Sequence, residues 1–565
     1  MVKPAIIILG VSALPLAQQL KSELGGEIHI PDCVSGGDVS YAKATAHLAE
    51  LFKSGRDIIG ICASGILIRA IAPHLSDKRN EPAVVAVAED GSSAVPLLGG
   101  HHGANELAKK IASLTKGHAA ITTASEVRFG FAFDENREGY TLANPQDMKS
   151  ATATKLAGGE VKVETTEQLV TGGPNHIVYH PHTLTIGVGC ERGASPQEVS
   201  GLIERTLRTN NLSIQSVAGF ASIDLKEDEP AIDALCNVRF FSAEELNALS
   251  PKLKTPSDYV MAEVGTPGVA EAAALAAGGP DAELIVAKTK SKRATCAIAR
   301  APAPILELRG KARGILSVVG IGPGTETMRS PAATLALKAA TDWVGYDLYL
   351  DLAVDVKSMQ TEHRFPLGGE EARCRHAIEL AKQGKNVALV CSGDAGIYAM
   401  AALVFEIIDL EPSRIKIEVI PGISAFQAAA ANAGAMIGHD FCCISLSDLL
   451  TSWEVIEKRL HAAAMGDFVI SFYNPRSLKR RDQLERAFAI LKDHRPPDTP
   501  VIIASNLGRP TENVRIVKFA DFNPDDVDML TLVMVGSSQS KFFARGDGKT
   551  YAYTPRGYAK KRENQ

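Results

Sequence analysis

Residues 386–398 read N-V-A-L-V-C-S-G-D-A-G-I-Y. A short apolar run ends abruptly in a Ser-Gly-Asp-Ala-Gly turn, and helix-forming sequence follows. A run of that length bounded by glycine predicts a buried strand, with a turn at its carboxyl end that leads into a helix. In open α/β sheets, ligands bind in the crevice beyond the carboxyl ends of the strands. Gly393-Asp394 therefore sets a carboxylate at such a crevice.

The same pattern extends outward in both directions. Short β-branched runs at Ala5–Leu9, Ile58–Cys62, Ala83–Ala88, Leu184–Gly189, Leu284–Lys288, Ile315–Gly320, Ile415–Ile420, Asp467–Tyr473 and Pro500–Ser505 recur along the chain. Between them lie amphipathic stretches such as Leu14–Leu24, Glu106–Leu114, Pro196–Thr209 and Ala372–Gln383. This alternation predicts a multi-domain α/β protein with parallel strands, since 565 residues exceed what one core holds. Residues 134–182, rich in Gly, Asn, Thr and Lys, break the rhythm, as does the Pro- and Arg-bearing stretch Ala299–Arg313. The expected division is an α/β module at 1–133, a short connecting region at 134–182 and a second module at 183–300. A linker at 301–313, a C-terminal domain at 314–556 and a tail at 557–565 complete it.

Charge and cysteine content narrow the class of function. Sixty Lys+Arg against 65 Asp+Glu leave a net charge of −5, which argues against sequence-independent nucleic-acid binding. No apolar run approaches the roughly 20 residues that cross a bilayer, and Ala5–Leu9 is too brief for a secretion signal. Nine cysteines without a C-x-x-C spacing suit reduced thiols in a cytoplasmic protein. Adjacent histidines, His101-His102, point different ways, so no metal site is expected.

Four more small-residue turns follow predicted strands in the C-terminal half. They are G-I-G-P-G-T (320–325), P-G-I-S-A (421–425), G-H-D-F…I-S-L-S-D (438–448) and Y-N-P-R-S-L-K-R-R (473–481). The first invites a dinucleotide-binding reading and hence a nicotinamide-dependent reductase. Thr325 stands where the third glycine belongs, however, and Pro323 removes an N–H that would face a phosphate.

Taken with S-G-D-A-G-I-Y (392–398), N-L-G-R (506–509) and V-D-M-L-T-L-V-M-V-G (527–536), these motifs resemble the tetrapyrrole methylases of the cobalamin pathway, nearest the precorrin-3B C(17)-methyltransferases. The resemblance covers residues 314–556, with Ala399 standing where the family usually has glycine. It implies methyl transfer from S-adenosylmethionine to carbon 17 of the macrocycle with ring contraction, in a homodimer. By motif position, Gly393, Asp394, Ile397, Ser424, Ala425, Leu446, Asn506, Leu507 and Leu532 would hold the methyl donor. Gly320, Gly322, Pro323 and Gly324 would face the tetrapyrrole. Arg476, Lys479, Arg480 and Arg481 would meet its carboxylates, though a charge run at a helix start is also how a solvated face looks. His439 and Asp440 are the polar pair expected to move protons during contraction, or only to orient a turn.

The N-terminal half carries A-S-G-I-L-I-R-A-I-A-P (63–73), L-L-G-G-H-H-G-A-N-E-L-A (97–108), G-V-G-C-E-R-G-A-S (187–195) and G-T-P-G-V-A-E-A-A-A-L (265–275). Gly-rich turns that open helices suit acidic ligands, and Arg69 adds a fork for a carboxylate. Together the segments resemble the cobalt-precorrin-5A hydrolases, which open a lactone and release acetaldehyde. Glu191, Arg192, Glu263 and Glu271 are the acid–base or positioning candidates. A non-catalytic corrinoid-binding module is the other reading of this half.

Overall fold

A computed structural model of the chain describes residues 3–76, 81–122, 137–477 and 481–558. The fold is mixed α/β, divided into two compact units: residues 1–222 with 243–309, and residues 223–242 with 310–565. The chain thus enters the second unit for twenty residues, returns to the first, and leaves it again at 310. This differs from the expected single boundary at 301–313. The inserted piece is tied within the second unit by paired Phe240 and Lys311, by Lys311–Glu227 (2.6 Å) and by Arg313–Asp233 (2.9 Å). Isolated charges around residue 230 gave no hint of this.

The first unit opens with a seven-stranded sheet in the order Val39–Tyr41, Glu27–Pro31, Ala5–Ile8, Ile58–Ile61, Val84–Val87, Ser93–Leu98, His118–Ala119. Ile6 and Ile8 enter one core with Leu20 and Ile111, while Ala5 and Ile7 enter another with Leu48 and Leu67. Burial on both faces is why these strands read as unbroken apolar runs. Residues 134–182 do more than connect. Tyr140–Leu142, His176–Pro181 and Lys162–Thr165 form a small sheet, and helix Met148–Leu156 packs Met148 and Ala151 against Ile177 and Tyr179. Two of these strands are short and half-exposed, so the apolar alternation was too weak to read.

A further sheet sets Val217–Ile223, Leu184–Cys190, Ala294–Arg300 and Glu283–Lys290 side by side. The alanine-rich helix Val269–Gly278 lies directly on it, because a Cβ at Gly187 would stand 1.9 Å from the Ala270 carbonyl. Close helix–strand packing thus explains one glycine of G-V-G-C-E-R-G without any ligand.

In the second unit, one sheet is wholly parallel: Thr361–Phe365, Asp342–Tyr346, Asn386–Cys391, Ile315–Gly320, Lys416–Ile420. Its central strand is the one that begins the quoted motif. The other sheet is mixed, in the order Phe441–Ser445, Val469–Tyr473, Thr531–Val535, Pro500–Ser505, Asn513–Lys518. Helices Trp453–Met465 and Gln483–Leu491 cover one face of it, and helix Ala425–Ala433 covers the other. Among the described residues no helix is long and apolar enough to cross a membrane.

Candidate functional site

Three strands of the parallel sheet end together, and their turns interlock. After Ile315–Gly320, Ile321 N–H donates to the Cys391 carbonyl (2.9 Å) and Gly322 N–H to the Gly393 carbonyl (3.1 Å). Gly393 N–H returns a bond to the Gly322 carbonyl (2.8 Å). These amides are spent on the neighbouring turn, so the loop cannot cradle a pyrophosphate, and the nicotinamide reading falls.

The third turn is closer still. A Cβ on Gly422 would lie 2.1 Å from the Gly393 carbonyl oxygen and 2.6 Å from that of Gly320. Only glycine permits this approach. Asp394 locks it: Oδ1 accepts Gly396 N–H (2.8 Å) and Oδ2 accepts Gly422 N–H (3.0 Å). Its carboxylate therefore ties two turns together, a role the sequence reading did not give it.

A turn from the second sheet meets this junction. The 506–509 turn has Asn506 at φ +52° and Gly508 at φ +68°. A Cβ at Gly508 would stand 3.0 Å from Gly324 N, so the two loops meet backbone to backbone. Glu512, which sequence reasoning missed, holds this turn: it accepts Gly508 N–H (2.6 Å) and Asn432 Nδ2 (3.0 Å). Tyr398 (φ +52°) donates its hydroxyl to the Cys443 carbonyl (2.8 Å), and its ring lies 5.1 Å from that of Tyr473. The Tyr473 hydroxyl accepts Phe426 N–H (3.4 Å) at the start of helix Ala425–Ala433, and burial pushes both phenols above their ordinary pKa. Tyr398, Asn474 and Asn506 all occupy the left-handed region, and strain of that kind collects at functional sites.

The expected donor-binding residues are largely gathered here. Ile397, Ala425, Leu507 and Leu532 share one apolar cluster beneath the crevice, and Ser424 is buried at the helix start, its N–H held by Gln427 Oε1 (2.9 Å). Asn506 N–H bonds the Leu530 carbonyl (3.1 Å). Leu446 differs. Its N–H reaches the Tyr473 carbonyl (2.9 Å), but its side chain sinks into the core on the other face of the sheet, with Ile444 and Leu460.

Several charged candidates are not brought to the crevice. His439 and Asp440 precede strand Phe441–Ser445, at the end opposite Ser445 and Tyr473; both are exposed and pair with each other at 3.3 Å. Two polar residues on a turn looked like a relay because sequence carries no strand direction relative to a cleft. Arg476 is bound by Asp525 (2.6 Å) and the Pro524 carbonyl (2.5 Å), which occupies its fork. Arg481 is exposed, and Lys479 and Arg480 lie outside the described residues.

In the first unit, Arg69 is exposed and bonds the Gly65 carbonyl of its own helix (3.1 Å). Glu191 pairs with Arg293 (3.0 Å) at the surface, the Arg192 carbonyl accepts from the same guanidinium (2.5 Å), and Glu263 is exposed on helix Asp258–Val264. Glu271 is 1% exposed and accepts four bonds: Lys254 N–H (2.8 Å), Thr255 N–H (3.0 Å), Thr255 Oγ1 (2.8 Å) and Lys288 N–H (2.9 Å). Burial alone would raise its pKa, but these bonds outweigh it and hold the carboxyl below the ordinary glutamate range. It is an anchor rather than a proton carrier.

The parallel sheet with its interlocked turns, facing a second α/β sheet, defines a class, and family comparison names it: residues 316–523 match the tetrapyrrole (corrin/porphyrin) methylases, and the chain belongs to that family. Residues 46–126 and 184–299 match the models for the cobalamin synthesis G N-terminal and C-terminal regions. Among particular relatives, a probable cobalt-factor III C(17)-methyltransferase of Salmonella typhimurium is 45% identical over 244 residues, 43% of this chain and 99% of that protein. A precorrin-3B C(17)-methyltransferase of a Sinorhizobium species is 40% identical over 252 residues, 44% of this chain and 98% of its own length. The cobalamin biosynthesis protein CobIJ of Mycobacterium bovis is 44% identical over 249 residues, 43% of this chain. The chain spans about half the length of that relative, 48%.

Proposed function

We propose that the C-terminal half transfers a methyl group from S-adenosylmethionine to carbon 17 of a precorrin-3B-type tetrapyrrole, with contraction of the ring. The N-terminal half is then a cobalt-precorrin-5A hydrolase that opens the lactone with water and releases acetaldehyde. The observation that carries the first reading is the glycine junction 320/393/422, with the 506–509 turn set against its 320–324 loop. The donor fits it: apolar Ile397, Ala425, Leu507 and Leu532 suit a flat adenine, and backbone carbonyls rather than nucleophilic side chains suit a sulfonium. When bound, the donor supplies an activated methyl; the ring carbon's electron pair forms the new C–C bond as the C–S bond breaks with its pair left on sulfur. What the protein adds is alignment of methyl and carbon within about 3–3.5 Å. Mass spectrometry of the product formed from precorrin-3B and the donor tests this, and an unmodified substrate would refute it.

Asp394→Ala removes the tie between two turns and is expected to weaken S-adenosylhomocysteine binding by about 1.5–3 kcal/mol in a calorimetric titration. Unchanged affinity would place the donor elsewhere. For the N-terminal half, acetaldehyde released from a lactone-bearing corrinoid separates a hydrolase from a binding module. The full engagement of Glu271 leaves the exposed Glu191 and Glu263 as its remaining acid candidates.

A further inference from the structure

Two guanidinium groups, Arg509 and Arg373, lack an anionic partner in the second unit among the described residues. Arg509 ends the 506–509 turn; its Nε is buried without an acceptor, and its guanidinium makes no hydrogen bond or ion pair among the described residues. Arg373, 3% exposed in the first turn of helix Glu370–Lys382, gives Nη2 to the Pro366 carbonyl (3.1 Å) and Nη1 to the Met400 sulfur (3.5 Å). Its Nε has no acceptor either. Burial raises the pKa of Tyr349, and the charges of Arg509 and Arg373 oppose that rise.

Tyr349 packs against the core cluster that contains Val319, Ile321 and Leu350, and its ring meets that of Tyr346 edge-on at 5.2 Å. Ile321 belongs to the 320–324 loop, and a Cβ on Gly324 of that loop would lie 3.3 Å from Arg509 Cγ. Arg509 therefore borders the loop expected to face the macrocycle. Arg329, Arg476 and Arg495 of this unit, by contrast, each have a carboxylate partner: Asp355, Asp525 and Asp467. Asp394, on the adjoining turn, already receives the Gly396 and Gly422 amides. Arg509 is half-buried, and a guanidinium nitrogen shielded from water without an acceptor is costly, which suits a site whose anion arrives with a ligand.

We propose that Arg509 receives a peripheral carboxylate of the tetrapyrrole and so decides which way round the ring lies on the 320–324 loop. This rests on the methyltransferase reading above. The donor's own α-carboxylate is the competing source of the same chemistry, and the test separates the two.

Full-length Arg509→Met and Arg509→Lys are titrated with uroporphyrin III in the presence of saturating S-adenosylhomocysteine, and separately with S-adenosylhomocysteine alone. Arg509→Met is expected to raise the uroporphyrin III Kd tenfold or more, and Arg509→Lys to recover part of that loss, while S-adenosylhomocysteine affinity stays within twofold. Unchanged uroporphyrin III affinity in Arg509→Met, or an equal loss of S-adenosylhomocysteine affinity, overturns the proposal. So does a wild-type protein that binds S-adenosylhomocysteine but not uroporphyrin III. Wild-type protein that binds no S-adenosylhomocysteine instead refutes the methyltransferase reading itself.

Discussion

Glu271→Ala is expected to destabilise the first unit by about 3–5 kcal/mol, the largest effect of any single truncation considered. The substitution leaves three backbone amides and a hydroxyl, from Lys254, Thr255 and Lys288, without the buried carboxylate they share. Each stranded donor costs about 1–3 kcal/mol, and partial relaxation keeps the sum below simple addition. Both tryptophans, Trp343 and Trp453, lie in the second unit, so their fluorescence does not follow this loss. Hydrogen exchange of helix Val269–Gly278 does, and protection equal to wild type would show the ring of bonds to be unimportant.

The same residue gives a pH signature. Its folded carboxyl titrates below the ordinary glutamate range, so it contributes stability that is complete above that range. The contribution fades as pH falls through the ordinary value toward the lowered one. Glu271→Ala should therefore flatten the acid side of the unit's stability profile and leave the neutral side merely shifted down.

Gly422→Ala is expected to abolish donor binding, lowering S-adenosylhomocysteine affinity more than a hundredfold. The new methyl has nowhere to go, since backbone oxygens of Gly393 and Gly320 would stand 2.1 and 2.6 Å away and neither is a flexible side-chain end. The turns must separate, which breaks the Asp394–Gly422 bond as well. Overpacking of this kind costs about 3 kcal/mol, and tryptophan fluorescence during urea unfolding reads it in the second unit. Gly369→Ala, whose Cβ would meet its nearest atom at an ordinary 3.6 Å, is the control. Equal donor affinity in both variants would remove the junction from the binding site.

Much of this was legible in sequence because the governing constraints are local. An apolar run ending in S-G-D-A-G announces a buried strand and a tight turn, and the observed strand is Asn386–Cys391. What stayed hidden depends on partners distant along the chain. Glu271 looked like an available acid until Lys254, Thr255 and Lys288 were seen to surround it. Arg476 and Arg509 are alike as letters; only the fold shows that one has a carboxylate and the other does not. His439-Asp440 failed for a different reason, since which end of a strand faces a cleft is set by sheet order.

The passage of residues 223–242 through the second unit bears on any attempt to halve the protein. A protease nick between 301 and 313 would sever one of three crossings and leave the other two intact, so the fragments should stay threaded together until denatured. A gene cut ahead of Lys311 would give a shortened C-terminal polypeptide that lacks Glu227 and Asp233, with Lys311 and Arg313 stripped of their counter-charges.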